Sequence, residues 1–462
     1  MQLTSSMNRK VSFIILVSIL IAATASAQEN SPYSRYGLGD IQPAQHILNR
    51  SMGGVSVAFA DPQTVNFSNA AAFANLRIVT YDIGLSVDSR TLRNRNSPEK
   101  YNSANFSPAY LALGVPISRK KQIGAAFGLR PISRINYSVA KAERLTGIDS
   151  LETVYEGTGG LNQFFAGIGK KFDKKTNRNQ INKALNGLSI GIMVGYNFGR
   201  KETATKLALV NDTVAYYKGN YSTTTNFGGA FINAGLQYEI LLDSATIKDR
   251  GVKKHYLRLG ASGTFGQKLY AKQDVKRETF NYDANSTVYT VDSVYAATNV
   301  KGRIKIPATY TVGFLYQESL SDIFETWSVG AEFSTTKWSD YRFYNQADAV
   351  VNNWQLRVGG QLTPDPLNYR NYFSRVSYRA GFNFGKDYIN ADGKELKNYG
   401  VTIGFGLPVR QPRYNPNQFT TIHTALEFGK RGSKVNDITE SYFRFSMALS
   451  LSDIWFIKRK YD

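Results

Sequence analysis

The chain has 462 residues, a formal net charge of +21 at pH 7 and no cysteine, and its mean hydropathy is -0.32 although 42% of its residues are hydrophobic. The lack of cysteine excludes disulfides, cysteine-linked lipid anchors and thiolate metal sites. The charge alone would suit nucleic-acid binding, but the basic residues are scattered along a chain that begins with an export signal. We therefore predict no nucleic-acid partner.

The export signal lies at the N-terminus. Arg9 and Lys10 precede an apolar run over residues 11–23, and a small-residue motif ends at Ala27. This pattern predicts a secretory signal peptide over residues 1–27 that is cleaved near Ala27. A membrane anchor is the alternative, but a spanning helix needs about 20 apolar residues, more than this run supplies.

Residues 28–75 do not alternate as strands do. They contain several prolines and glycines, a stretch near 41–49 that suits a short helix, and apolar positions at Val55, Val57 and Phe59. We interpret this segment as a hatch, or plug, inside a barrel, where its polar backbone is satisfied by the wet inner wall. A disordered periplasmic leader is the alternative, and the apolar positions favour the hatch.

From residue 76 onward, apolar and polar residues alternate with a period of two between turn signals. This pattern is typical of strands with one oily and one wet face. About fourteen strands are predicted, at 76–89, 105–116, 121–137, 160–172, 187–200, 222–241, 254–270, 300–317, 325–338, 352–363, 372–387, 396–411, 419–430 and 441–457. The fold class is therefore all-β: residues 76–462 form a transmembrane antiparallel β-barrel, with its outside against outer-membrane lipids of a Gram-negative-type bacterium.

The connections between these segments alternate in length. If the first strand runs outward, the long connections, such as 138–159 and 271–299, face outside, and tight turns such as 118–120 face the periplasm. The four tryptophans fall close to predicted strand ends, which suits rings in the membrane interface. They are Trp327, Trp338, Trp354 and Trp455.

Two stretches resemble FadL-type outer-membrane transporters. The first is R-S-M-G-G-V-S-V-A-F-A-D at 50–61 with N-F-S-N-A-A-A-F at 66–73, which is similar to that family's hatch. The second is L-A-L-G-V-P at 111–116 with I-G-A-A-F-G-L-R-P at 123–131, which is similar to its second and third strands. By strand count and loop rhythm the resemblance covers the mature chain, but its motifs are confined to about 50–135 and the C-terminal end.

The resemblance implies a fourteen-stranded barrel with an N-terminal hatch that takes up hydrophobic compounds such as long-chain fatty acids. It implies hatch-turn and gating roles for Gly53, Gly54, Asn69, Ala70 and Ala71. The family's Asn-Pro-Ala turn appears here without its proline, so the fixed φ is missing and the turn is less constrained.

The resemblance also implies a lateral exit at a kink in the third strand, here at Arg130 and Pro131. A proline removes one ladder hydrogen bond and is tolerated at a bulge or an edge. The alternative is that Pro131 only ends the strand. Further basic residues are predicted to face the lumen, where they would attract a carboxylate or pair with the hatch. They are Arg258, Arg375, Arg379 and Arg444.

Catalytic chemistry is not predicted. The three histidines, His46, His255 and His423, are not arranged with a nucleophile motif, and no phosphate loop or ligand set is visible, so we predict no catalytic residue, no metal and no cofactor. Two functions remain. The first is passive uptake of a hydrophobic or amphipathic small molecule. The second is a non-transporting accessory barrel in a larger outer-membrane protein assembly or secretion complex, with other outer-membrane proteins as partners.

Overall fold

The computed structural model describes residues 31–95, 98–144, 150–173, 187–209, 217–247, 251–283, 288–320, 324–368, 370–409 and 419–453. The predicted signal peptide, its cleavage point and Trp455 lie outside these residues. Within the described part, no helix has the length and apolar character needed to cross a bilayer.

Strands dominate the described residues and form one antiparallel sheet. The strands are β1 (Asp40–Ile41), β2 (Val79–Asn94), β3 (Lys100–Ser118), β4 (Ile123–Arg144), β5 (Ser150–Asp173), β6 (Gly187–Leu209), β7 (Lys218–Ile247), β8 (Gly251–Thr264), β9 (Gln267–Tyr282), β10 (Val288–Ile306), β11 (Thr309–Leu320), β12 (Phe324–Thr336), β13 (Arg342–Phe343), β14 (Asn353–Leu362), β15 (Ser377–Lys386), β16 (Lys397–Val409), β17 (Phe419–Arg431) and β18 (Ile438–Asp453). The short helices are α1 (Ile47–Arg50), α2 (Tyr372–Arg375) and four 3-10 turns at Pro32–Arg35, Ala70–Asn75, Trp338–Asp340 and Ala391–Gly393.

Fourteen of these strands close into a barrel, which confirms the predicted fold class. They are β2–β8, β11, β12 and β14–β18, and the ring closes where β18 pairs with β2, with Ala448 opposite Gly84. The first tight connection, between β3 and β4, marks the end of the barrel that we call the turn end. The opposite end, with the connection from β2 to β3, is the loop end.

The β9–β10 hairpin is inserted between two neighbouring wall strands. β8 pairs directly with β11, whereas β9 pairs with the loop-end part of β7. The predictions of single strands at 254–270 and 300–317 and of a connection at 271–299 are therefore wrong. The chain leaves β8 at Thr264, and Pro307 separates β10 from β11, because proline cannot donate to a ladder.

The wall alternates as the period of two requires. On β6, Ile190, Ile192 and Val194 point outward and are exposed, whereas Ser189 and Met193 point inward and are buried. The outward residues would meet lipid and the inward ones meet the lumen, which explains a low mean hydropathy in a membrane barrel.

Several strands are longer than a membrane requires. β7 has 30 residues, whereas a tilted strand crosses a bilayer with about 9–11. The loop-end parts of β4–β7 together with β9 and β10 extend beyond the barrel as one sheet, which we call the projecting sheet. It lies at the end that we predict to face outside.

Residues 31–78, the N-terminal segment, lie inside the ring of strands. Their apolar side chains form buried clusters with inward-facing wall residues, for example Phe67 and Phe73 with Phe165 and Met193, and Val57 and other residues with Leu315. The wall supplies glycines where the backbone of the segment approaches most closely. At Gly191, an added Cβ would lie 2.2 Å from the carbonyl carbon of Ala70.

We expect Gly191→Ala to destabilise the folded barrel by about 1–3 kcal/mol, because the methyl group overpacks a contact with the N-terminal segment. The urea midpoint of unfolding in detergent measures this change. Gly219→Ala is the matched control on β7, since its nearest neighbour would be 3.8 Å away. Equal midpoints for the two variants would contradict close packing at Gly191.

Candidate functional site

The N-terminal segment is fixed to the wall by buried hydrogen bonds on several sides. The Glu332 carboxylate on β12 accepts the backbone N–H groups of Ser56 and Val57, both at 2.7 Å. On β2, Asp82 accepts the Val65 N–H at 2.7 Å. On β16, the Thr402 hydroxyl accepts the N–H of Gly53 at 2.8 Å. These contacts satisfy backbone groups of the segment that secondary structure leaves unpaired.

A network of buried ion pairs surrounds α1 and β1. Arg50 of α1 pairs with Glu427 on β17 at 2.7 Å, and Glu427 also pairs with Arg444 on β18 at 3.2 Å. Asp40 of β1 pairs with Arg90 on β2 and with Arg431 on β17 at 3.2 Å. Because each pair is out of contact with bulk water, loss of one partner leaves an uncompensated buried charge.

Protonation of Asp40 should lower the stability of the folded barrel in acid. Burial alone would raise the pKa of its carboxyl, but the charges of Arg90 and Arg431 outweigh burial and lower the pKa from 3.8 to about 2. The stabilisation is therefore complete above pH 3.8 and is lost as the pH falls toward 2. We expect the unfolding midpoint of the Asp40→Asn variant to fall less steeply across this window than that of the wild type. Parallel pH profiles would contradict the prediction.

A cavity of about 390 Å³ with a mixed polar and apolar lining lies between the N-terminal segment and the residues that cover the loop end. Charged side chains of the ion-pair network line it, and Trp338 and Tyr388 contribute to its loop-end side. Their rings pack at a centroid distance of 4.4 Å. Trp338 is buried in this loop cluster, so the prediction that it belongs to the interfacial girdle is wrong.

The wall has a side gap between β3 and β4. Their pairing begins at the turn end and stops at the pair Leu111 and Leu129. Over the described residues beyond that point, β3 pairs with β2 and β4 pairs with β5, but β3 and β4 do not pair with each other. The register shifts at this level in both strands, next to Pro108 in β3 and next to Pro131 in β4. Neither proline has an N–H to donate, which suits a position at a bulge or edge.

The N-terminal segment occupies the free edge of β4 beside this gap. β1 pairs antiparallel with β4, with Asp40 opposite Arg134 and Ile41 opposite Ser133. The N–H of Gln42 donates to the carbonyl of Ile132 at 2.9 Å. The gap is thus bordered by β1 on the β4 side.

The residues predicted for the hatch turns lie in contact with the wall. Gly53 and Gly54 have φ of 69° and 94°, a backbone conformation that favours glycine. The Asn69 side chain accepts the N–H of Ala71 at 3.0 Å and donates to the wall carbonyls of Leu236 at 3.2 Å and Ala261 at 3.3 Å. It therefore caps the turn Ala70–Asn75, in which Ala70 and Ala71 are buried. Whether these residues gate a passage stays a prediction.

The predicted basic residues have different surroundings. Arg258 pairs with Glu239, and Arg444 pairs with Asp88 and Glu427. Arg375 lies in α2, before β15 begins, and not on a lumen-facing strand as predicted.

Arg130 and Arg379 contact neutral groups. Arg130 donates to the Gln163 side chain at 2.9 Å and to the Ala44 carbonyl at 2.8 Å. Arg379 donates to the Gln361 side chain at 2.5 Å and lies 3.3 Å from Nδ1 of His423. Within the described part of the chain, neither forms an ion pair with a carboxylate.

Sequence reasoning did not single out the wall residues that hold the segment most firmly. Periodicity and spacing single out neither Glu332 and Asp82 nor Glu427. The sequence shows each of them only as an acidic residue on the wet face of an alternating strand, and this pattern does not distinguish a solvated side chain from a buried one. Pro108 carries the same signal as Pro131 and was also missed.

Comparisons with known proteins agree with the barrel. A sequence profile of the BamG family matches residues 7–462, and no curated protein sequence matches the chain. The toluene transporter TbuX of Ralstonia pickettii is 13% identical with a TM-score of 0.52, over 90% of this chain and 99% of that chain. A FadL homologue of Pseudomonas aeruginosa is 11% identical with a TM-score of 0.51, over 91% of this chain and 100% of that chain. This likeness concerns the fold alone, and it confirms the predicted FadL-type fold.

Proposed function

The chain belongs to the BamG family, and from its geometry we propose that it is a plugged accessory barrel of a larger outer-membrane protein assembly. One observation carries the proposal: the N-terminal segment is bound to the inner wall by buried ion pairs and by carboxylates that accept its backbone N–H groups. Breaking one buried pair costs about 3–5 kcal/mol. A passage through the lumen that displaced the segment would break several.

The charged part of the cavity lining opposes the binding of an apolar solute. Binding of an apolar ligand is driven by contact with apolar surface, about 25 cal/mol per Å². The lining of the cavity is mixed: apolar side chains such as Leu161 and Ile306 contribute to it, together with charged groups, which are Arg50, Arg90, Arg431, Glu427 and Glu440. An apolar molecule there would desolvate these groups without replacing their hydrogen bonds.

The projecting sheet offers a surface for a protein partner. Arg277 stacks between Tyr221 and Tyr295, with its guanidinium 5.7 and 5.6 Å from the two ring centroids. Val294 on β10 is also exposed, and so is Tyr217, directly before β7. Tyrosine and arginine are enriched in protein interfaces, and these residues stand beyond the lipid, where another envelope protein could reach them.

Co-purification from native membranes tests the proposal. We expect the tagged full-length chain, extracted in mild detergent, to bring down other outer-membrane proteins in stoichiometric amounts. Tyr221→Ser with Tyr295→Ser should reduce their recovery. Tyr310→Ser is the control, because Tyr310 is equally exposed but points outward from β11. Recovery of the wild-type barrel alone, together with solute uptake in liposomes, would overturn the proposal.

The side gap favours a second candidate function, passage of a hydrophobic or amphipathic small molecule such as a fatty acid between β3 and β4. Ile41 and Ser133 form a pair without mutual hydrogen bonds, a geometry in which Cα atoms are about 4.5 Å apart. The chain has no other cysteine, so Ile41→Cys with Ser133→Cys gives a disulfide that fastens β1 to β4.

In liposomes, this second function predicts fatty-acid uptake by the reduced double variant and loss of uptake on oxidation. Each single cysteine variant should be unaffected by the oxidant. If the reduced protein transports no more than empty liposomes do, the passage is absent and the accessory role stands alone.

A further inference from the structure

The outer face of the β9–β10 hairpin carries positive charges that oppose one another. Lys268 lies directly opposite Lys305, and Lys272 lies directly opposite Lys301. All four are exposed. Like charges directly opposite each other in an antiparallel pair destabilise a sheet. Two such pairs in succession indicate that something other than the protein neutralises them.

The protein supplies little compensation on this face. Within the described residues, none of these four lysines forms an ion pair with a carboxylate. Between the two pairs lie Tyr270 and Arg303, also opposite each other, with the guanidinium 5.7 Å from the ring centroid. The next acidic residue along the strand is Asp274, and its carboxylate accepts the N–H of Asn299 at 2.8 Å.

A groove adjoins these charges on the outside of the barrel. It has a volume of about 650 Å³, and Tyr196, Phe198 and Tyr270 line it together with Lys272 and Lys301. The three rings are exposed. Aromatic walls beside ammonium groups would suit a molecule with an apolar part and an anionic part.

The position of the groove along the barrel axis indicates that this molecule is a membrane lipid. On β6 the outward series Ile190, Ile192 and Val194 is followed by Tyr196 and Phe198. Outward aromatic residues at the end of an aliphatic band mark the membrane interface. Arg200 comes next on the same face of β6, so the rings divide the aliphatic band from the charged surface. The lysines of the hairpin therefore stand at the level of the lipid headgroups.

We propose that this groove and the opposed lysines bind the phosphorylated headgroup of a glycolipid in the outer leaflet, with phosphate oxygens between Lys272 and Lys301 and apolar parts against the rings. The cation pairs match an anion of two or more charges, and the groove is open toward the bilayer side of the wall. The proposal does not depend on the accessory role.

Binding of lipid A to the purified full-length protein, followed by native mass spectrometry, tests this site. We expect Lys272→Gln with Lys301→Gln to weaken binding of bisphosphorylated lipid A at least tenfold. Lys120→Gln with Lys121→Gln, at the turn end, should leave it unchanged. Lipid A without phosphates should not bind specifically to the wild type or to the variants. Inorganic phosphate at the same concentration as lipid A should not compete with lipid A for the wild type.

A second measurement separates binding from folding. Without lipid, Lys301→Gln should unfold at the same temperature as the wild type or higher, because it relieves a like-charge pair. With lipid A present, the wild type should gain more thermal stability than the variant. Equal lipid binding by the two double variants, or phosphate competing as well as lipid A, would overturn the proposal.

Discussion

Replacing Glu332 with alanine should destabilise the barrel by about 3–5 kcal/mol, because it removes the carboxylate that pairs with Arg357 and leaves two buried N–H groups without partners. One carboxylate oxygen accepts the N–H groups of Ser56 and Val57, each at 2.7 Å. The other lies 2.7 Å from the guanidinium of Arg357. Glu332 is only 2% exposed, so water cannot replace its contacts.

The unfolding midpoint in urea, followed by the gel mobility of the folded barrel in detergent, measures the change for Glu332. Glu395→Ala is the matched control, since Glu395 pairs with Lys386 in a connection at the surface, and we expect no measurable shift. Glu332→Gln should lie between the two, because its amide oxygen can still accept the N–H groups of Ser56 and Val57 although the carboxylate that pairs with Arg357 is lost. If the Glu332→Ala and Glu395→Ala midpoints coincide, the N-terminal segment is not held through this carboxylate.

The wall could be predicted from sequence because lipid and lumen impose a period of two on every crossing strand. β6 shows this clearly, since its apolar positions from Ile190 to Phe198 are the ones that face outward. The β9–β10 hairpin could not be predicted, since beyond the bilayer the alternation no longer records which strand is the neighbour. β8 also runs into β9 across only two residues, Phe265 and Gly266, so their patterns merge.

The candidate site was predicted only in part, for a related reason. Pro131 could be singled out through the resemblance of this stretch to the third strand of FadL-type transporters, where a proline suits a kink. Glu332 could not, because an acidic residue on the wet face of a strand looks solvated until its partner is known. That partner, Ser56, is 276 residues away. Contacts between residues so far apart in the sequence depend on how the N-terminal segment folds into the barrel, and neither periodicity nor spacing predicts that path.

Substitutions of Asn69 test whether the N-terminal segment and the wall unfold as one cooperative unit. Its amide donates to the carbonyl of Val57 at 2.7 Å and to the wall carbonyls of Leu236 and Ala261, while its oxygen accepts the N–H of Ala71. One side chain thus joins two parts of the segment to β7 and β8. Asn69→Asp keeps the shape and the acceptor but replaces the donors with a charge.

We expect Asn69→Asp to cost about 3–5 kcal/mol, because an unpaired buried carboxylate would face three carbonyl oxygens. Asn69→Ala should cost about 1–3 kcal/mol, since it removes the same bonds but adds no charge. Urea unfolding in detergent orders the two variants. If both lower a single transition, segment and wall unfold together, as a permanent plug requires. An additional transition at lower urea, with the wall unaffected, would mean that the N-terminal segment detaches by itself. In that case β1 could move away from the side gap.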